Sequence, residues 1–398
     1  MKSAASLPPL SRRLAEVLLW ILPLIPLGAM ILWMFSGDPL RLAPQGLPPI
    51  EELSIQRSIV TPDGFELEIV NSGPDPVTIA QVAVDDAYWG FTVEPPGALP
   101  RLGGARVSIP YDWVRTEPHT ITLITSTGLT FSHTIDLALP SPRLGLREFL
   151  AYGLLGVYVG IIPVGLGMLW FPAMRRLGRR GMGVILSLTV GLLVFLLADT
   201  MVEALEVANE LPGTFQGTSL VVLAALTAWL AILAASRRGE KREGADPRMR
   251  LAALIALGIG LHNLGEGLAI GAAYALGEAA LGSFLVIGFT LHNITEGVGI
   301  AAPLTQAQPS VRRLAGLTLL AGSPAILGAW LGGFAFSPIL AAIFLGVGAG
   351  AIVQVVVEVS GLIVRQSRSA GESPYTWANL AGFLAGIVVM YLTAFLVK

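Results

Sequence analysis

The stretch LHNLGEGLAI, Leu261–Ile270, lies inside a segment apolar enough to cross a membrane, and LHNITEGVGI, Leu291–Ile300, repeats it in the next such segment. Each copy sets a histidine, an asparagine and a glutamate, in the same order, among leucine, isoleucine and glycine. On a helix, His262 and Glu266 fall one turn apart on one face, and Asn263, three before Glu266, flanks that face. His292, Asn293 and Glu296 reproduce the spacing. A short connection joins the two segments, so they run antiparallel as neighbours. Antiparallel neighbours bring mid-span positions to one depth, and the two copies are expected to meet near the bilayer midplane.

This placement is costly. An ionised carboxylate at the centre of a spanning helix costs about 2.5–3.5 kcal/mol. Two such groups close together also repel, and one of them tends to take up a proton. A divalent cation answers both costs. Imidazole nitrogen, carboxylate oxygen and amide oxygen suit zinc and its first-row neighbours. Zinc, iron(II) and manganese are therefore expected, with cobalt or cadmium beside them, weakly discriminated and held loosely enough to leave again. The bland alternative is polar glue between helices. Hydrogen bonds of that kind contribute about 0.6 kcal/mol each, and serine, threonine or asparagine would supply them at lower cost. The duplicated pattern asks for a ligand. Gly265, Gly267 and Gly297 read chiefly as packing residues that let helices approach.

Composition agrees with a membrane setting. The chain of 398 residues is 54% hydrophobic and 13% charged, against roughly a quarter charged in a soluble domain. A net charge of −2 gives no argument for nucleic acid as a partner. There is no cysteine, which removes disulfide frameworks and thiolate metal sites. Of the four histidines, two stand in the repeat.

Working outward, the region from 147 to 398 contains eight apolar segments, at about 148–171, 182–206, 218–236, 251–275, 281–303, 313–335, 338–364 and 376–397. Each is near or above the roughly 20 residues a membrane helix needs. The connections MRRLGRR, SRRGEKREGADPRMR, QPSVRR and RQSRSAGESPY are basic, whereas NELPGTFQG, LGEAA and AFSP hold no lysine or arginine. Basic connections mark the cytoplasmic side. The alternation predicts a first span that starts outside and a C-terminus that ends outside. A further apolar run, Leu14–Phe35, follows Arg12 and Arg13; its length favours a retained signal anchor over a cleaved signal peptide. Between them, FELEIVNSGPDPVTIAQVAV, ARVSIPYDW and HTITLITSTGLTFSHTI alternate apolar and polar residues around turn signals, the pattern of a small β-sandwich. His119 and His133 fall there and read as ordinary strand residues. The predicted fold is thus a polytopic α-helical membrane protein: residues 1–36 as cytoplasmic end and anchor helix, 37–146 as an extracytoplasmic β-sandwich, and 147–398 as an eight-span domain in the cell membrane.

Other intramembrane carboxylates receive separate readings. Asp199 and Glu203, one turn apart near the outer end of the second span, are candidates for a pathway or relay, while Glu206 reads as an interfacial helix end. Glu358, in the cytoplasmic half of the seventh span, is a candidate for the inner side of a pathway.

HNLGEG and HNITEG on consecutive spans resemble the paired signature of the ZIP (Zrt/Irt-like) divalent metal transporters, particularly the bacterial branch. GAGAIVQVVVEVSG, Gly348–Gly361, is similar to the glycine-rich penultimate span of that branch. The resemblance covers about residues 147–398. It implies an eight-helix core with a two-metal centre on the fourth and fifth spans. In it His262, Glu266 and Glu296, joined by His292, hold one ion, and Asn263, Asn293 and the two glutamates form the adjacent position. It also implies metal uptake into the cytoplasm by alternating access between two helix bundles, with no catalytic cofactor. Three departures stand out. The sixth span reads AGSPAILGA, with Ala325 near the carboxylate that many relatives carry, so a second metal position is expected to be weaker or absent. The inner loop lacks the histidines of many members. Residues 1–146 lie outside the resemblance; their domain could recognise an unidentified partner, stabilise a homodimer or guard the entrance.

The alternatives are a membrane-embedded metalloenzyme and a metal sensor. The first lacks His-Glu-x-x-His, and the order His-x-x-x-Glu is not that of di-iron bundles. The second lacks a cytoplasmic output domain, since the inner loops are all short. The expectation is a transporter, not an enzyme.

Overall fold

The alternating stretch folds as strands and the apolar runs as helices. The computed structural model describes residues 22, 24–36, 48–135, 138–141, 145–240, 246–275 and 279–395. Of the expected anchor, Leu24–Ser36 forms helix α1, with Leu24, Ile25, Leu27, Met30, Leu32 and Trp33 exposed. Residues 14–21, like 37–47 at the start of the expected exported segment, lie outside the described residues.

Among the described residues, eight strands make two four-stranded antiparallel sheets. One is ordered β1 (Leu53–Thr61), β2 (Gly64–Asn71), β6 (Gly104–Pro110), β5 (Thr92–Glu94). The other is β4 (Ala87–Trp89), β3 (Ile79–Val84), β7 (His119–Thr125), β8 (Thr130–Ile135). The period of two sends Phe65, Leu67 and Ile69 of β2, Val107 and Ile109 of β6, Val82 and Val84 of β3, and Ile121 and Leu123 of β7 into one buried core. This is the expected sandwich. The sequence patterns missed β1, whose register slips between Ile55 and Arg57, and the three-residue strands β4 and β5.

Buried Asn71 of the sandwich has its amide fully engaged. Asn71 donates from Nδ2 to the carbonyls of Asp75 (2.8 Å) and Leu99 (2.9 Å), and its Oδ1 accepts from the Gly73 N–H (2.9 Å). Burial pushes the Asp85 carboxyl up. Hydrogen bonds from His119 Nδ1 (2.7 Å), the Thr120 N–H (2.9 Å) and the Tyr111 hydroxyl (3.1 Å) outweigh that and hold it below its ordinary value.

Eight helical segments among the described residues are long and apolar enough to cross a membrane: Leu146–Met174, Arg179–Glu210, Gly213–Arg237, Pro247–Ala275, Leu281–Thr305, Val311–Ala335, Pro338–Ser369 and Trp377–Phe395. They are called spans one to eight. Their outer faces carry exposed Leu150, Leu154, Leu223, Leu230, Leu384 and Leu392, an apolar surface suited to lipid rather than water. Spans one, four, five and six pack as one bundle, and spans two, three, seven and eight as another; the main seam runs between spans four and seven.

Two spans are irregular, and both irregularities centre on proline. In span one, residues Val157–Ile161 form a π-helical turn before Pro163. In span six the helix breaks at Ser323, before Pro324. A proline cannot donate to the carbonyl four residues back, so carbonyls near these positions turn elsewhere. Gly160 and Gly322 let the two irregular stretches touch backbone to backbone: a Cβ on either would meet main-chain atoms of the other segment.

The sandwich rests on connections that lack lysine and arginine. Arg57 Nη1 donates to the Phe334 carbonyl at the end of span six (3.1 Å). Thr214, between spans two and three, donates to the Ser72 carbonyl (2.5 Å). The sandwich thus meets the bundles at the end of span six and at the connection between spans two and three.

Candidate metal centre

The two motif copies converge. Near the middle of span four, His262 Nε2 lies 3.1 Å from Glu266 Oε1, one turn along the same helix. From span five, His292 Nε2 meets the same Glu266 oxygen. Asn293 Nδ2 donates to the other oxygen, Glu266 Oε2, at 3.0 Å. Glu266 thus gathers partners from both copies. Nitrogen or oxygen atoms of His262, Glu266 and His292 all lie within 4.8 Å of one another, and no other such group forms among the described residues. Donors around a tetrahedral zinc sit roughly 3.4 Å apart, given bonds of about 2.0–2.2 Å. Small side-chain adjustments would bring this trio to that geometry.

The asparagines fasten this pair of helices to the irregular ones. Asn293 Nδ2 also donates to the Val159 carbonyl (3.1 Å), whose partner four residues on would be Pro163. Asn263 Nδ2 donates to the Ala321 carbonyl (3.0 Å), at the break in span six. Each broken helix thus supplies a carbonyl that an asparagine of the neighbouring motif satisfies. A carbonyl accepts and cannot donate, so each asparagine turns its amide nitrogen toward it. Each Oδ1 is left buried without a hydrogen-bond partner.

Glu296 differs sharply from Glu266. Both of its oxygens are buried and have no hydrogen-bond partner. It lies within electrostatic reach of Glu266 and His262. An unpaired buried carboxylate is among the most expensive groups a protein can hold, and a cation placed beside Glu296 and Glu266 would relieve it. Two amide oxygens and a carboxylate, all unpartnered, together with two imidazoles and a second carboxylate, form a nitrogen–oxygen donor set suited to zinc, iron(II) or manganese.

Glycines make the close packing around this centre. A Cβ on Gly267 would collide with the Ala325 carbonyl of span six, and one on Gly297 with the Val164 carbonyl of span one. Gly348 of span seven lies against the His262 backbone, its Cβ position 3.2 Å from His262 Cα. Ala325 adds no donor side chain; span six contributes the Ala321 carbonyl instead.

The remaining candidates lie apart from the centre. Glu203, half-buried on span two, is within electrostatic reach of His262 and Glu266. Asp199 is exposed. Glu358 accepts from Ser236 Oγ (2.9 Å) and Gln354 Nε2 (3.1 Å), and Gln354 Oε1 in turn accepts from Trp229 Nε1 (3.1 Å). It also lines a cavity of about 300 Å³ at the basic end of the bundles, together with Arg248, Arg250, Thr305 and Arg365. Three contributors were not singled out in the sequence: the Val159 and Ala321 carbonyls, and Thr200, whose Oγ1 lies 3.2 Å from His262 Nδ1. Pro163 signals the Val159 carbonyl four residues before it, and Ala321 precedes the break at Ser323. Nothing in the sequence around Thr200 marks it.

Residues 234–394, from the end of span three through span eight, match the family model described as ZIP zinc transporter. The match includes both motif copies and Glu358; Thr200, Glu203, span one and the sandwich lie outside it. No curated protein matches the chain.

Proposed function

We propose, from the match of residues 234–394 to the ZIP zinc transporter model, a family that implies divalent metal transport, that this protein carries zinc into the cytoplasm through the centre built by His262, Asn263, Glu266, His292, Asn293 and Glu296. The observation that carries the reading is the convergence of His262, Glu266 and His292, beside the unpartnered carboxylate of Glu296. Iron(II), manganese and cadmium fit the same donors and are expected to compete. The N-terminus and the basic connections face the cytoplasm, and the sandwich and the C-terminus face outward.

The route follows from charge and depth. Glu203 lies on the outer side of the centre and attracts the ion toward His262 and Glu266. There the two imidazoles and the carboxylate replace water as ligands, and Glu296 with the Asn263 and Asn293 oxygens completes the shell. Glu358 lines the cavity at the basic end and receives the ion on its way to the cytoplasm. Asp199, exposed on span two, serves at most as an outer attractor. With Ala325 on span six, one ion is held tightly and a second only weakly.

Purified full-length protein in liposomes, loaded with a metal-sensitive dye, tests this reading under an imposed zinc gradient. Zinc should enter the liposomes, and iron(II), manganese and cadmium should each reduce zinc flux when added in competition. A zinc flux no greater than that of protein-free liposomes would refute the reading.

A further inference from the structure

We propose that Thr200 is a positioning residue that ties the orientation of the His262 ring to the arrangement of the two helix bundles; this inference rests on the transport reading above. Nearly every hydrogen bond found at the centre stays within the bundle of spans one, four, five and six. Glu266 is bonded from spans four and five, Asn293 reaches span one, and Asn263 reaches span six. The bond between Thr200 Oγ1 and His262 Nδ1, 3.2 Å long, crosses to span two of the other bundle. Both residues are buried, Thr200 at 1% exposure. Spans two and four otherwise meet at few points.

The hydroxyl's choice of partner is unusual for its setting. A threonine inside a helix commonly donates to the carbonyl four residues back. Thr189, Thr290 and Thr318 do so, to Ile185, Val286 and Leu314. Thr200 turns across the interface to the imidazole instead.

The consequence for a metal ligand is direct. His262 Nε2 faces Glu266 and the other donors, so Nε2 is the nitrogen that would meet an ion, and Nδ1 must be held by something else. A partner at the second nitrogen fixes the ring plane and keeps the coordinating lone pair aimed, and removing such a partner typically weakens metal binding about 10–100-fold. A hydroxyl suits this task because it accepts from Nδ1–H and donates to bare Nδ1 equally well. When the bundles shift and span two moves away from span four, the bond is lost and the ring is free to turn. The centre then gives up one aimed ligand, which favours release. Thr200 thus makes the grip on the ion depend on the conformational state.

The test compares Thr200→Val, which keeps the shape and removes the hydroxyl, with Thr200→Ser, which restores it, and with His262→Ala as reference. Cobalt(II) binding to the full-length protein is followed by its visible absorption, and zinc flux is measured in liposomes. Thr200→Val should weaken cobalt binding and raise the KM for zinc about 10-fold or more. It should alter the cobalt spectrum and leave the maximal rate at or above the unsubstituted level, because release no longer waits on the bond. Thr200→Ser should return all three toward the unsubstituted values. An unaltered KM and spectrum in Thr200→Val overturns the proposal, as does a fall in maximal rate with KM unchanged. If Thr200→Val does not fold, Thr200→Ala takes its place under the same criteria. Should His262→Ala retain full binding and flux, the transport-site reading itself fails; should it lose both while Thr200→Val is silent, only the positioning role fails.

Discussion

Asn71 in the sandwich and Asn263 and Asn293 in the membrane are equally buried, at 0% exposure, yet they are treated in opposite ways. Asn71 has both its amide nitrogen and its oxygen engaged by backbone groups. Asn263 and Asn293 engage only the nitrogen, and each oxygen is left over. The carboxylates repeat the contrast. Asp85 accepts from three donors, while Glu296, more deeply buried, accepts from none. The sandwich satisfies its polar groups internally, as a structural core should. His119 Nε2, packed against the rings of Phe65 and Tyr111, is its exception. The membrane centre leaves an oxygen-rich set without protein hydrogen-bond partners, a set that a bound cation would engage.

The contrast can be broken inside the centre by treating its two glutamates alike. Glu266 is bonded from three sides, so Glu266→Gln should destabilise the metal-free protein by about 3 kcal/mol, the usual cost of breaking a buried charge-assisted network. Glu296 has no such bonds. Glu296→Gln should therefore raise metal-free stability by on the order of 1 kcal/mol, by removing a buried acid that has no hydrogen-bond partner, while weakening zinc binding. Thermal unfolding of both variants with and without zinc checks this. Equal shifts of the same sign would erase the distinction between the copies.

In the sandwich the expectation reverses. Asn71→Ala leaves buried backbone groups without partners and should cost about 2 kcal/mol with zinc affinity unchanged, measured by unfolding and by zinc titration of the same preparation. The smallest effect concerns pH. The carboxyl of Asp85 is lowered in the folded state, so its contribution to stability is complete above the ordinary carboxylate range and is lost as pH falls through its lowered value. Asp85→Asn should flatten the acid side of the stability–pH curve and leave the neutral side nearly level. An unchanged acid limb would show that the His119–Asp85 pair contributes nothing measurable.

Much of this was legible in the sequence, for identifiable reasons. Eight apolar runs of sufficient length and an unbroken alternation of basic connections define the spans. The period of two in FELEIV and HTITLIT defines strands β2 and β7. The repeated His-Asn-x-x-Glu places the centre at one depth on two antiparallel helices. The spacing did not say that Glu266, and not Glu296, would collect both histidines, because a helical wheel fixes faces but not the offset between two helices. Nor did it say that the asparagine nitrogens would serve spans one and six; that depends on where Pro163 in span one and the break at Ser323 in span six leave a carbonyl in space. Asp199 shares a face with Glu203 by spacing, yet lies exposed, since span two turns that edge outward. Thr200 was invisible because one threonine in an apolar run has no pattern. Its role comes only from which helix lies opposite.

The central claim is that the buried trio carries the ion, and zinc flux into liposomes by the unsubstituted protein, Glu266→Ala and His262→Ala tests it most directly. Flux by the unsubstituted protein, with a fall to the level of protein-free liposomes in both variants while each remains folded, is the predicted result. Undiminished flux in both variants would contradict it.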